Sequence, residues 1–374
     1  MKYGERCWLL GAALGVAAGC SGQYHVGSDA PNADGLSEGG APASFAGASS
    51  VAGTGSAAAG AGIGGAYAVA GASSDPGPGT FCGYQLPTAH SVEFASPSIV
   101  YQRMFKFLFD LDQPPTTTLP SETTREWAGT LAASALASLN TPSAQGMNRF
   151  VNDWWPGTPT AEYWAAYFSS RRGTLVDLLT TSSLLANGAG LLTDPSVLSR
   201  EVFSGRGGFV LNRLVCIEVG PPGPAGEFED PPLVPGRTRR SQREELVAHQ
   251  PCTACHSMMD PYGFALAEFA TDGSFRTIEN DLPIDTEVAI WLPQSGNQTV
   301  LDAQNLGSTL ANSCEVALCL VERLLHDAQR SADLPHEASE PEMAEIAAQF
   351  TASGLSLPDL VRLVVESDAF LSAD

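Results

Sequence analysis

Pro251-Cys252-Thr253-Ala254-Cys255-His256, followed at once by Ser257-Met258-Met259-Asp260-Pro261-Tyr262-Gly263-Phe264, is the stretch on which the reading of this chain turns. It contains C-x-x-C-H, the attachment pattern of a c-type haem. Residues three apart share a helix face, so Cys252 and Cys255 can each form a thioether to one haem vinyl group. His256 follows directly and can reach the iron as its proximal ligand. Two other chemistries use the same atoms. Zinc could be held by His249, Cys252, Cys255 and His256, all acceptable ligand types, but adjacent Cys255 and His256 converge poorly on one tetrahedral centre. A Cys252–Cys255 disulfide suits an oxidising compartment but leaves His256 without a role. The haem is the preferred reading.

A sixth iron ligand is open. Met258, Met259 and His249 lie so close to His256 that a tight loop would be needed, whereas His326 and Met343 can fold back from a distance. Of these His326 is preferred, against its plainer reading as a surface residue on a helix. Asp260-Pro261-x-Gly263 is expected to shape a turn after the haem helix, with Pro fixing φ and Gly permitting a positive φ beside the cofactor. Arg276 can pair with a haem propionate in a two-point fork, or form a surface salt bridge.

Composition bounds the rest. The chain has 374 residues, with 41 acidic against 19 basic ones and a formal net charge of −22. A surface so acidic repels phosphates, which argues against nucleic acid as a partner and leaves room for a redox partner protein. Eight cysteines suit an oxidising compartment rather than the cytosol. Lys2 and Arg6 precede a short apolar run from Cys7 to Ala18, too short to span a bilayer. Val16-Ala17-Ala18-Gly19-Cys20 then reads as a lipoprotein cleavage box, with residues 1–19 as signal peptide and Cys20 as the lipid-bearing residue. An ordinary secretory signal is the alternative. Either way the protein is expected to be exported, with membrane contact through a lipid anchor only. Residues 20–80 are Gly, Ala and Ser with almost no large apolar residue, a composition that forms a tether rather than a core.

From residue 81 the pattern becomes helical. Ser96–Phe109, Ser121–Leu139, Gln145–Trp155, Ala161–Phe168 and Thr174–Leu185 carry apolar residues at helical spacing, with their aromatics read as core. Shorter helices follow at Pro195–Phe203, Gly208–Cys216 and Thr238–Gln250. Strand candidates lie at Phe275–Thr277, Ile284–Asp285 and Val288–Trp291, and helices close the chain at Asn305–Asp327, Glu340–Ser353 and Leu357–Phe370. The expected fold is mainly α. A helical bundle domain (81–187) precedes a central c-type-haem-like helical segment with a small β excursion (188–300), and a C-terminal helical domain (301–374) ends the chain.

From about Ser96 onward the sequence resembles a cytochrome-like family of secreted planctomycete and myxobacterial proteins, whose tandem domains are mostly of unknown function. The likeness rests on Cys252, Cys255 and His256, then Asp260, Pro261, Gly263 and Phe264, then Gly273 and Arg276, with His249 upstream. Gly190-Leu191-Leu192-Thr193, Phe209–Cys216 before Pro221-Pro222, Cys319–Arg330 and Leu357–Phe370 match further family segments. The resemblance implies a covalent haem c, and its domain order implies a disulfide between Cys216 and Cys319. Two departures stand out. Ala267-Glu268-Phe269-Ala270 replaces the family's Glu-Asn-Phe-Asp, and His326-Asp327-Ala328-Gln329-Arg330 replaces its Tyr-Ala-Leu-Gly-Arg.

From residue 81 onward G-x-S-x-G, H-E-x-x-H and a phosphate-binding Gly-rich loop are missing from the sequence. Glu227-Glu229-Asp230 sits in a Pro-rich surface segment, where solvation explains it. The reading is therefore an exported lipoprotein that carries one c-type haem and transfers electrons. The alternatives are a haem peroxidase-like enzyme, and a cell-surface binding or structural module held by zinc or a disulfide.

Overall fold

The computed structural model describes residues 79–373, apart from 89–91, 139–144, 158–163, 165–166, 169–172, 182–184, 186, 201–202, 220–231 and 249–251. The expected signal peptide, Cys20, nearly all of the expected tether, His249 and Glu227-Glu229-Asp230 lie outside the described residues. The fold is mainly helical, with three small two-stranded sheets among the described residues, the first a hairpin of β1 (Thr80–Phe81) and β2 (Tyr84–Gln85).

Helix α1 (Pro97–Phe109) begins with Pro at its first turn, where a missing N–H costs nothing. It buries Val100, Met104, Phe107 and Leu108 along one stripe and stops at Asp110, whose φ of 56° is left-handed. α2 (Arg125–Ala137) starts later than Ser121, because Thr124 is the residue whose side chain accepts the Trp127 N–H, at 3.1 Å. α3 (Gln145–Trp154) ends in the aromatic pair Trp154 and Trp155, both buried. α4 (Leu175–Thr180) leads to a 3-10 turn at Gly190–Thr193 and the short helix α5 (Pro195–Leu198). That turn is the Gly-Leu-Leu-Thr segment. Thr193 Oγ1 accepts the Ala189 N–H at 3.0 Å, and a Cβ at Gly190 would fall on the Leu178 carbonyl oxygen.

Helices α6 (Phe203–Leu214), α7 (Arg239–Val247) and α8 (Cys252–Phe264) form the centre of the chain. Hairpin β3–β4 (Ile278–Glu279, Leu282–Pro283) follows, then hairpin β5–β6 (Val288–Leu292, Gly296–Val300), which pairs Val288 with Val300 and Leu292 with Gly296. The polar sequence of β6 hides it from a pattern search. Glu315 fixes the connecting turn by accepting the N–H groups of Gln294 and Ser295, at 2.9 and 2.7 Å. Tyr262 fastens the hairpin to α8 through its hydroxyl, which donates to the Trp291 carbonyl at 2.6 Å.

Asn305–Asp327, read above as one helix, is broken in two. Ser313 accepts the Val316 N–H at 3.3 Å and starts α10 (Cys314–Ala332) directly after α9 (Ala303–Ala311). Ser367 does the same between α12 (Leu357–Val365) and α13 (Asp368–Leu371), after α11 (Glu340–Ala352). The three domains expected from residue 81 onward share one hydrophobic core, which runs from Ala95 to Leu371. Phe94 also bridges Ser372, and Thr174 bridges Ser356. Two disulfides cross the expected boundaries: Cys82–Cys314, and Cys216–Cys319 with Cα atoms 5.3 Å apart.

Candidate functional site

The C-x-x-C-H residues open α8, on its first two turns, with Cys252, Cys255 and His256 all half-buried. Helix α6 packs against α8 at very close range. A Cβ at Gly207 would fall on the Met259 carbonyl oxygen, and one at Gly263 on the Phe203 carbonyl oxygen. Asp260-Pro261-x-Gly263 is therefore not a turn after the haem helix. α8 runs through Pro261, and Gly263 serves close helix packing rather than a positive φ. The positive φ belongs to Gly273, at 83°, in the turn that brings Phe275 back onto Phe269.

That close approach delivers Ser204 of α6 to His256. Ser204 Oγ lies 2.9 Å from His256 Nδ1, and Asp260, one turn further along α8, places Oδ1 at 3.2 Å from the same nitrogen. Arg243 of α7 completes the cluster, its Nε donating to Asp260 Oδ2 at 3.1 Å and its Nη2 lying 3.1 Å from His256 Nδ1. Nη2 also donates to Ser204 Oγ. Asp260 and Arg243 are only 2% and 3% exposed. A carboxylate so deep is acceptable because it is paired and hydrogen-bonded. Burial pushes the Asp260 pKa up, but hydrogen bonds from His256 and Ser204 and the Arg243 charge outweigh it and hold the group below the usual carboxylate value.

The arrangement constrains the chemistry of His256. Ser204 and Asp260 both meet Nδ1, so this is not a Ser-His-Asp triad, in which serine and carboxylate take opposite ring nitrogens. With Nδ1 occupied, Nε2 is the nitrogen left for a metal. A carboxylate behind a ligating imidazole is the usual outer-shell arrangement at metal sites. The histidine therefore fits a proximal ligand. The cysteine spacing fits two thioethers on one helical turn.

Other expected residues stand apart. Arg276 pairs with Glu279 Oε1 at 2.9 Å, and Glu279 also receives the Arg239 backbone N–H at 2.5 Å, which ties β3 to the start of α7. This is the salt-bridge reading of Arg276. His326 is exposed on α10, between buried Leu325 and Asp327. Phe264 is buried edge-on against Phe203, with ring centroids 4.8 Å apart. Met343 packs partly buried against the core.

Ser204, Arg243 and Arg206 were not singled out from the sequence. The four-residue spacing of His256 and Asp260 on one helix was the available signal for their contact. Arg206 is buried and donates to the carbonyls of Leu198, Arg200, Leu266 and Phe269, at 2.8 to 3.2 Å. Among the described residues it has no acidic partner, and burial followed by the charges of Arg276 and Arg239 lowers its pKa to about 10. Among the described residues, Cys82, Cys314 and Glu315 also gather their ligand atoms within 4.8 Å, with both sulfurs in their disulfide.

Residues 183–279 match the model of a family described as a protein of unknown function, DUF1588, with the short name PSCyt3. That is about a quarter of the chain, and it spans α5 to β3 with the whole His256 cluster. The matched segment is thus similar to a planctomycete cytochrome-like domain. Neither the curated proteins nor the solved structures contain a match to this chain.

Proposed function

We propose that this chain is an exported, lipid-anchored protein that holds one covalent c-type haem on α8 and passes electrons to a partner protein. The observation that carries the reading is the orientation of His256. Asp260 and Ser204 hold its Nδ1, and Nε2 is left for iron. Cys252 and Cys255 on the same two turns would hold the haem covalently. Bound so, a haem supplies one-electron redox chemistry. The likeness of residues 183–279 to a cytochrome-like family supports the same reading. Export and lipidation rest on the N-terminal pattern alone.

Expression of the full chain with a cytochrome c maturation system, followed by a pyridine haemochrome spectrum, tests attachment. The expected result is a c-type spectrum, lost when Cys252 and Cys255 are replaced by Ala. Colourless protein containing stoichiometric zinc would overturn it. One observation favours another reading. A carboxylate hydrogen-bonded to the proximal imidazole makes it a more basic ligand, which suits reaction with peroxide at a five-coordinate iron. High-spin ferric protein that reacts fast with peroxide is the mark of that enzyme.

A further inference from the structure

Arg200 follows α5, and its guanidinium lies over the ring of Phe209 on α6, 4.2 Å from the centroid. Among the described residues that guanidinium has no hydrogen-bond or ion-pair partner, and its Nε is enclosed without one. This is unusual for a chain in which acids outnumber bases two to one. Arg149, Arg243, Arg330 and Arg362, for example, all face carboxylates. Four residues earlier, Ser196 Oγ is likewise enclosed and unpartnered. Arg213 lies over the same Phe209 ring, 5.8 Å from its centroid, and is held there by donating to the Asp153 carbonyl at 2.6 Å. Two cations thus share one aromatic ring; the Asp153 carboxylate, whose charge acts on Arg213, is itself paired with Arg330. Burial, and then the Arg213 charge, lower the pKa of Arg200.

We infer that Arg200 and Arg213, with the Ser196 hydroxyl four residues before Arg200 as a further donor, form a binding site for a small oxyanion, a carboxylate or phosphate group. A guanidinium offers parallel N–H donors that match two oxygens of such a group, and stacking on Phe209 fixes its plane. The site is separate from the His256 cluster. Ser204 and Gly207 of α6 face α8, whereas Phe209 and Arg213 face the end of α3, where Trp155 meets the Phe209 ring edge-on at 4.9 Å. An acidic surface elsewhere makes this a local exception in sign, which would concentrate an anion here.

The test titrates the full chain with sodium phosphate and with sodium acetate, each against sodium chloride at equal ionic strength. Isothermal calorimetry reads binding, and tryptophan fluorescence reads the Trp155 environment. Saturable binding of at least one oxyanion beyond chloride is expected; phosphate alone would identify a phosphoryl site, acetate alone a carboxylate site. Arg200→Gln should weaken binding about tenfold or more, the loss of a charge-assisted hydrogen bond. Ser196→Ala should weaken it severalfold, and Arg362→Gln, on α12, should leave it unchanged. If Arg200→Gln does not fold, Ser196→Ala and Arg213→Gln decide. Binding that Arg200→Gln and Arg213→Gln leave intact, or heats no different from chloride, would overturn the site.

Discussion

Replacing Asp260 with Asn removes the charge that Arg243 faces and leaves a guanidinium 3% exposed without its counter-ion. Breaking such a pair from one side costs about 3 kcal/mol. Arg243→Met is expected to cost a similar amount, because Asp260 then keeps its charge with only neutral donors. The double variant should cost clearly less than the sum, since neither charge is then stranded. Urea unfolding of the four proteins checks this, and strict additivity would mean that the two residues do not form one unit. Arg206→Lys is a second case at this scale. Lysine cannot spread its donors over the four carbonyls that Arg206 reaches, so a loss of about 2 kcal/mol is expected in the same measurement. The Cys and His identities at this site were legible because their spacing states a chemistry. Arg243 was not, because Thr238–Gln250 reads as a charged surface helix, and only the packing of α7 on α8 turns Gln242 and Arg243 inward.

At the scale of elements, the contact of α6 with α8 depends on two missing side chains. Gly207→Ala and Gly263→Ala each place a methyl group on a backbone carbonyl of the opposite helix, and backbone cannot yield as a flexible side chain can. Each should destabilise by about 3 kcal/mol despite the better helix propensity of Ala. Both should also lower haem loading if the Ser204 contact to His256 matters for it. Thermal melts and the haemochrome yield read the two effects separately. Normal melts with normal yields would show that the helices can separate freely. The helices themselves were largely visible as apolar stripes, and the capping serines and threonines set where they stop. Thr124, Ser313 and Ser367 moved or split three of the expected elements, because a short polar side chain competes for the backbone N–H groups at each start. Strand β6 was invisible since its stability comes from pairing with β5 and from Glu315, not from its own residues.

For the whole molecule, Cys82–Cys314 and Cys216–Cys319 close segments of 232 and 103 residues. Cross-links over such long loops remove much chain entropy from the unfolded state, on the order of 4 kcal/mol each in that account. Replacing either pair with Ser should therefore lower the melting temperature, and reductant should lower that of the wild type towards the variants. Melts unchanged by reductant would contradict this. Neither variant touches α8, so the haemochrome test should be unaffected.

The C-x-x-C-H stretch, read alone, determined the kind of chemistry to look for and the helix that carries it, because ligand spacing on one turn is a local property. It determined the mainly helical class as well, since a helix declares its buried face within a dozen residues. The tertiary structure decided what surrounds His256, which glycines are there to let helices touch, and that three expected domains share one core. Those features join residues tens to hundreds of positions apart. Arg243, Ser204 and Asp260 meet only when three helices pack, and no local pattern records that meeting.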